Sequence, residues 1–189
     1  PSTRTTERLT VRESRSSPAS RSGQAAAMGT TERLTIEPRS VDHAAGLCAA
    51  LADDSVGRWI GGPEVTTVEA VVERIAYVND ADPAQWGESW LNWTVVADTE
   101  PERPIVGRVE ATVHHRTPRT AEIAYVFGPA WAGRGYATEA TAWMLDVLRD
   151  EHAVVAAYAT VDPRNEPSIR LLERLGFVRC ELPADGLGS

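Results

Sequence analysis

Apolar and polar positions along the chain follow two periods, and the switches between them mark its elements. Residues 31–37, TERLTIE, alternate with the period of two that a half-buried strand requires. Ser40 then stands at an N-cap position, and Leu47 and Leu51 recur at i, i+4, predicting a helix over Val41–Leu51. Thr66-Thr67-Val68-Glu69 resembles a capping box, and Val68, Val71, Val72 and Ile75 form the apolar stripe of a second helix. Asn92–Ala97 reads as a strand, followed by a turn over 98–104. Ile105–His114 and Ala121–Phe127 read as an antiparallel hairpin around Thr117-Pro118-Arg119. Gly128-Pro129 ends that pairing, because proline donates no N–H. A glycine segment, WAGRGYATEA, then leads into a helix reaching about Asp150. Ala153–Val161 follows as a buried strand, and Asn165 caps a helix over Glu166–Leu175 that Gly176 stops. Phe177–Cys180 begins the last strand. The predicted order is β-α-α-β-β-β-α-β-α-β, a mixed α/β domain.

Composition divides the chain at residue 28. Residues 1–27 are rich in Ser and Arg and poor in apolar residues after Val11. Within them Thr5-Thr6-Glu7-Arg8-Leu9-Thr10 recurs as Thr30-Thr31-Glu32-Arg33-Leu34-Thr35, with Val11 and Ile36 at equivalent positions. Two copies do not make a solenoid. Residues 1–27 are therefore expected to be a disordered extension or leader ahead of a natural start at Met28, with a duplicated strand as the alternative. Residues 28–189 are expected to form one domain.

The 189 residues suffice for one real core, and no apolar run approaches 18 residues, so no membrane span is expected. Cys48 and Cys180 lie far apart and suit two reduced thiols in a cytoplasmic protein. His114-His115 would point to opposite faces of a strand, so no metal site is expected. The net charge of −8 argues against nucleic acid as a partner and favours cationic ligands.

Glycines at a helix start let an anion approach unpaired backbone amides at the positive end of the helix dipole. Gly133, Arg134, Gly135, Tyr136, Ala137 and Thr138 would present such amides, with Arg134 adding charge, although the segment is neither GxGxxG nor GxxxxGK[ST]. Taken together, AEIAYVFGP, AWAGRGYATEA and NEPSIRLLERLGF resemble the GNAT N-acetyltransferase superfamily, and more narrowly its RimJ/RimL-like branch. The resemblance covers residues 30 to about 180 and is strongest over 120–177. It implies a mostly antiparallel central sheet flanked by helices, acetyl-CoA as co-substrate and a primary amine as acceptor, either a protein N-terminus or a small molecule. The family's pyrophosphate loop, Q/R-x-x-G-x-G/A, falls on residues 132–137. Gly135 and Ala137 match, whereas Ala132 stands where Gln or Arg is usual. The resemblance further implies that Tyr125, Val126 and Phe127 lie along the pantetheine arm, with Asn165 and Ser168 beside the cofactor.

Acetyl transfer needs a neutral amine, a polarised carbonyl and a stabilised thiolate. Glu122 sits mid-strand between Ala121 and Ile123, and the resemblance implies a general base in this AEI context. The alternative is an ion pair with Arg108 or Arg119. Family members often supply a tyrosine acid shortly before the final GF, but this chain has none there. Ser168 is then expected to bond the CoA sulfur, with Tyr136 in reserve and a backbone N–H near Val126 on the carbonyl. Trp59 and Trp90 are expected at the acceptor, with Trp86 and Trp93 nearby and Glu64, Glu88 and Asp82 supplying negative charge. A non-catalytic acyl-CoA-binding module is the rival reading. RimL-like chains usually continue into a C-terminal hairpin, which is incomplete here. The exposed sheet edge is therefore expected to be covered by the duplicate strand within 1–12 or by a second subunit in a homodimer.

Overall fold

A computed structural model describes residues 7–12, 26–60 and 67–180. Its strands are β1 (Glu7–Arg12), β2 (Gly29–Thr30) and β3 (Leu34–Pro38), followed by helices α1 (Ala44–Leu51), α2 (Asp54–Ile60) and α3 (Val68–Asp80). Then come β4 (Glu88–Ala97), β5 (Ile105–His114), β6 (Thr120–Phe127), α4 (Tyr136–Asp150), β7 (Ala156–Val161), α5 (Glu166–Arg174) and β8 (Val178–Cys180). One sheet runs in the order β2-β3-β4-β5-β6-β7-β1-β8. Every pairing is antiparallel except β6 with β7.

Register and the period of two make the two faces of this sheet unlike. Leu91, Trp93 and Val95 of β4, Val109, Ala111 and Val113 of β5, and Ala121 and Ile123 of β6 belong to one apolar core. Tyr136, Ala140, Met144 and Leu148 of α4 close it from outside, with Ile169 and Leu172 of α5. The alternate positions form the opposite face. There Trp90, Asn92 and Thr94 stand opposite Thr112, Glu110 and Arg108, and those three stand opposite Glu122, Ala124 and Val126. This polar face lies beneath α1 and α3, whose Leu47, Leu51, Val71 and Ile75 form a smaller core with Val126.

The caps follow the sequence. Thr67 Oγ1 accepts from Ala70 N at 3.2 Å to start α3, and Asn165 Oδ1 accepts from Ser168 N at 3.3 Å to start α5. The α3 stripe is narrower than its pattern predicts. Val71 and Ile75 are buried, but Val68 and Val72 are 37% and 36% exposed, because the space beneath the helix holds polar side chains rather than a deep core. The first helix begins one turn late, as a 3-10 segment over Val41–His43. Helix α2 is an addition to the predicted order.

Glu7–Arg12 lies in the sheet, antiparallel to β7 on one side and β8 on the other. This corrects the expectation of a disordered leader for these six residues; β1 does not cover the edge but is inserted between β7 and β8, and β8 is the edge strand. Of the rest of the leader, Ala26 packs against the main core and the Ala27 carbonyl accepts from Trp93 Nε1 at 2.7 Å; residues 1–6 and 13–25 fall outside the described residues. Among the described residues, no helix is long and apolar enough to cross a membrane.

Candidate active site

The site begins where two strands part. β6 and β7 pair only from Thr120↔Ala156 to Glu122↔Tyr158, although β6 runs on to Phe127 and β7 to Val161. Past Glu122 the backbone groups of β6 that face β7 have no strand to bond, and a cleft opens between residues 123–126 and 159–162. Unpaired polar backbone of this kind accommodates an extended ligand that pairs like a strand. Ser168 of α5 and Trp59 of α2 close the cleft, which is about 540 Å³.

On one side the cleft runs into a groove of about 600 Å³, lined by Tyr125, Val126, Phe127, Ala132, Gly133, Gly135, Tyr136, Ala137 and Thr138 from one wall. Asn165 and Ser168 line both spaces. The loop's glycines have a structural reason: Gly133 and Gly135 sit at φ 76° and 83°, where a side chain is strained. From Gly135 the chain enters α4, whose first-turn amides lack intrahelical acceptors and open onto the groove.

Arg134 behaves otherwise than expected. It is absent from the groove lining; its guanidinium bonds Glu100 at 2.6 Å and lies over the Trp131 ring. Its charge is thus satisfied within the protein. The side chain that sequence reasoning missed is Arg33, which bonds Glu139 at 2.6 Å, donates to the Arg134 carbonyl at 2.9 Å and stacks over Tyr136. It ties β3 to the loop and the first turn of α4. Tyr136 itself is buried and its hydroxyl donates to Glu100 at 2.7 Å, which removes it as a reserve acid. Arg174, from the end of α5, also lines the groove and has no ion-pair partner among the described residues.

The tyrosine that the chain lacks before its final GF arrives from β6. The Tyr125 hydroxyl lies 2.7 Å from Ser168 Oγ and 3.2 Å from the Ser168 carbonyl, at the junction of groove and cleft. Burial, only partly offset by the Ser168 hydrogen bond, pushes the phenol up to about 12. The sequence signal was parity: Tyr125 shares a strand face with Ile123, which packs in the core that contains Ile169 and Leu172.

On its other side the cleft meets a third cavity of about 450 Å³ under α1 and α3, floored by Trp90, Asn92, Arg108, Glu110 and Thr112. Arg39 and Arg108 both bind Glu110, and Arg39 also bonds Asn92. Burial would raise the Glu110 carboxyl, but Arg108 and Arg39 outweigh it and hold the group down at about 2. Arg74 and Arg108 line both this cavity and the cleft.

Glu122 is half-buried at the last paired position of β6, just short of the cleft lining, and Thr160 donates to it at 3.4 Å. Of the two arginines offered as alternative partners, Arg108 binds Glu110 and Arg119 donates to the His152 carbonyl. Among the tryptophans, Trp90 lines the third cavity with Trp86 stacked on it at 5.6 Å, Trp59 lines the cleft and groove, and Trp93 is core. Glu88 is bonded to Trp90 Nε1 and to His114, Asp82 caps the Pro83–Trp86 turn, and Glu64 lies outside the described residues. The adjacent histidines take different partners, His114 the Tyr158 hydroxyl and His115 Ser89.

A pairing break between parallel strands that leads to a glycine-started helix is a geometry with relatives. The chain is 28% identical over 155 residues to the uncharacterized N-acetyltransferase p20 of Bacillus licheniformis, across 82% of this chain and 84% of that one. It superposes on a GNAT-family acetyltransferase from Bacillus anthracis with TM-score 0.63 and 26% identity, covering 79% and 82% of the two chains. Mycobacterium smegmatis RimJ, solved in complex with CoA-disulfide, gives TM-score 0.65 at 25% identity over 76% of this chain and 69% of that one. The family model for the acetyltransferase (GNAT) domain matches residues 33–178, from the arginine that ties down the loop to the last strand, and the chain belongs to that family of acetyltransferases.

Proposed function

We propose that this chain moves the acetyl group of acetyl-CoA to a primary amine by direct attack on the thioester. The observation that carries this reading is the continuity of the spaces: the groove at the start of α4 and the β6/β7 cleft share Trp59, Ile60, Tyr125, Val126, Asn165 and Ser168. The diphosphate would lie on the amides of Gly135 to Thr138, where the ion pairs of Arg33 and Arg134 leave the backbone as the main anion-binding element. Residues 125–127 would pair with the pantetheine arm and bring the thioester beside Ser168.

The amine nitrogen attacks the thioester carbonyl carbon, the C–S bond breaks, and one proton leaves the amine while the thiolate departs. Glu122, at the head of the cleft, takes that proton. Ser168 donates its hydroxyl hydrogen bond to the sulfur while accepting one from Tyr125. With its phenol near 12 and an ordinary thiol near 8.5, Tyr125 supports the thiolate by hydrogen bonding rather than by giving up its proton. A mere CoA-binding module has no need for this part-buried hydroxyl pair. The test is release of free thiol from acetyl-CoA against a panel of primary amines, with mass spectrometry of the amine product; CoA binding without thiol release for any amine overturns the reading.

A further inference from the structure

One wall of the cleft is β7, and β6 stops holding that strand where the cleft begins. Pairing between the two ends at Glu122↔Tyr158, and residues 159–161 run on without it. These three residues are held from the other side. β1 pairs with the whole of β7, and its first half, Glu7, Arg8 and Leu9, stands opposite Val161, Thr160 and Ala159. All three of those β7 residues line the cleft. Among the described strands, β1 is thus the one partner of the part of β7 that faces the ligand space, and it is also the one strand that pairs with β8. The wall leads on towards the reacting end: the Asp162 carbonyl accepts from Asn165 N at 2.8 Å, and Asn165 caps the helix that carries Ser168.

The acetyltransferase family match covers residues 33–178, so β1 comes from outside it. Its Glu7-Arg8-Leu9-Thr10 repeats Glu32-Arg33-Leu34-Thr35, the sequence with which the chain enters β3. Resting on the transferase reading above, we propose that residues 7–9 are a positioning element of the active site, a strand from outside the matched domain that fixes the cleft wall at 159–161 for the pantetheine arm. A ligand that pairs like a strand needs a slot of set width. The edge of β7 that faces the slot must stay open, so only its other edge can be paired. Without β1, the backbone entropy of ordering the wall would have to be met when the ligand binds. The division within β1 supplies a control. Leu9 and Val11 are two apart, so their N–H groups point to the same neighbour. Val11 stands opposite Ala157, which β6 also holds through Ala121, whereas Leu9 stands opposite Ala159, which β6 does not reach.

The test uses the full chain with one proline at either of these two points, since proline removes the ladder hydrogen bond of its N–H. Leu9→Pro should raise the calorimetric Kd for acetyl-CoA by about tenfold, whereas Val11→Pro should change it by no more than about twofold. Loss of folded protein alone would lower the number of binding sites and leave Kd where it was, so Kd separates positioning from stability. Equal Kd values in the two variants overturn the proposal. If Leu9→Pro does not fold, hydrogen exchange in the unaltered protein decides: the amides of residues 7–9 should be protected together with those of 159–161, and exchange of 7–9 at the rate of an unpaired chain overturns the proposal. An unaltered chain that fails to bind acetyl-CoA removes the transferase reading and this inference with it. One that binds it, with both variants alike, removes this inference alone.

Discussion

The two ends of the cleft hold arginines in opposite ways. At the cofactor end Arg33 is matched by Glu139 and Arg134 by Glu100, so the loop beside them is close to neutral and presents its backbone. Under α1 and α3, Arg39 and Arg108 share the single carboxylate of Glu110, and Arg74 lines the same cavity. Balanced ion pairs build a scaffold: they fix the loop without competing for the ligand. Where two guanidiniums lean on one carboxylate, the fold depends on that counter-charge being well seated. Glu110 is that seat, so the first way to break the comparison is to remove it.

Glu110→Gln should cost about 3 kcal/mol of stability, the low end for stranding buried charges, read as a fall in the urea midpoint. The same quantity has a pH signature. The Glu110 carboxyl sits near 4.5 in the unfolded chain and is held at about 2 in the fold. A depressed carboxylate contributes stability that is complete above the unfolded value and is lost as pH falls towards the folded one. Wild-type stability should therefore drop between about pH 5 and pH 2, by about 3 kcal/mol from this group, and the drop should be smaller in Glu110→Gln. Glu139→Gln, at the balanced and more exposed end, should cost less than about 1 kcal/mol, because it strands a guanidinium that is already partly solvated. Equal losses at the two sites would erase the distinction.

Glu122→Gln addresses the chemistry between the two ends. As general base, Glu122 should contribute about 10²-fold or more to kcat. Because Glu122 stands just short of the cleft lining, we expect the low end of the usual 10²–10⁴ range. Acetyl-CoA affinity should not change. A variant of full activity would leave water as the means of deprotonation.

Tyr125 and Ser168 come next. Tyr125→Phe and Ser168→Ala should each lower kcat by about tenfold, the worth of one hydrogen bond to a developing anion. The double variant should fall little further, because the two hydroxyls act in series on one sulfur. Additive losses would separate them into a packing role and a catalytic role.

Most of the fold was legible, and the failures have physical causes. Ile105–His114 has the same bounds in both readings, and the helix from the glycine segment ends at Asp150 as its pattern indicates. Both follow from strong local periodicity. Helix α2, DSVGRWI, is short, contains a glycine and buries only Val56 and Gly57, so it carries almost no periodic signal. The site was read best where backbone chemistry dictates sequence, as at Gly133 and Gly135, and worst where distant side chains meet. Arg33 with the loop is a tertiary pair that no local spacing announces, and the parity of Tyr125 with Ile123 gives its strand face but not its bond to Ser168. Total charge says little about any one cavity: in a chain at −8, three arginines line the space under α1 and α3. The one local signal was Arg108 and Glu110, two residues apart on one face of a buried strand.

The smallest expected effect is the one that isolates the ligand. Gly133 has φ 76°, and a Cβ built there meets no protein atom within 4 Å. Gly133→Ala therefore costs backbone strain of about 1 kcal/mol or a little more and creates no clash within the protein. If this loop lies open only as an ordinary turn, the variant should lose that small stability and bind acetyl-CoA as before. If the diphosphate rests on it, the new methyl stands in the ligand's approach, and acetyl-CoA KM should rise several-fold beyond what stability loss explains. Ala132→Arg gives the opposite sign at the neighbouring position, because an added cation supplements amides whose nearest arginines are already paired, and it should tighten acetyl-CoA by a few-fold. Neither change should alter the preference among amines. Movement in both parameters together would mean that the two ends are coupled, and that the paired scaffold transmits what the cavity binds.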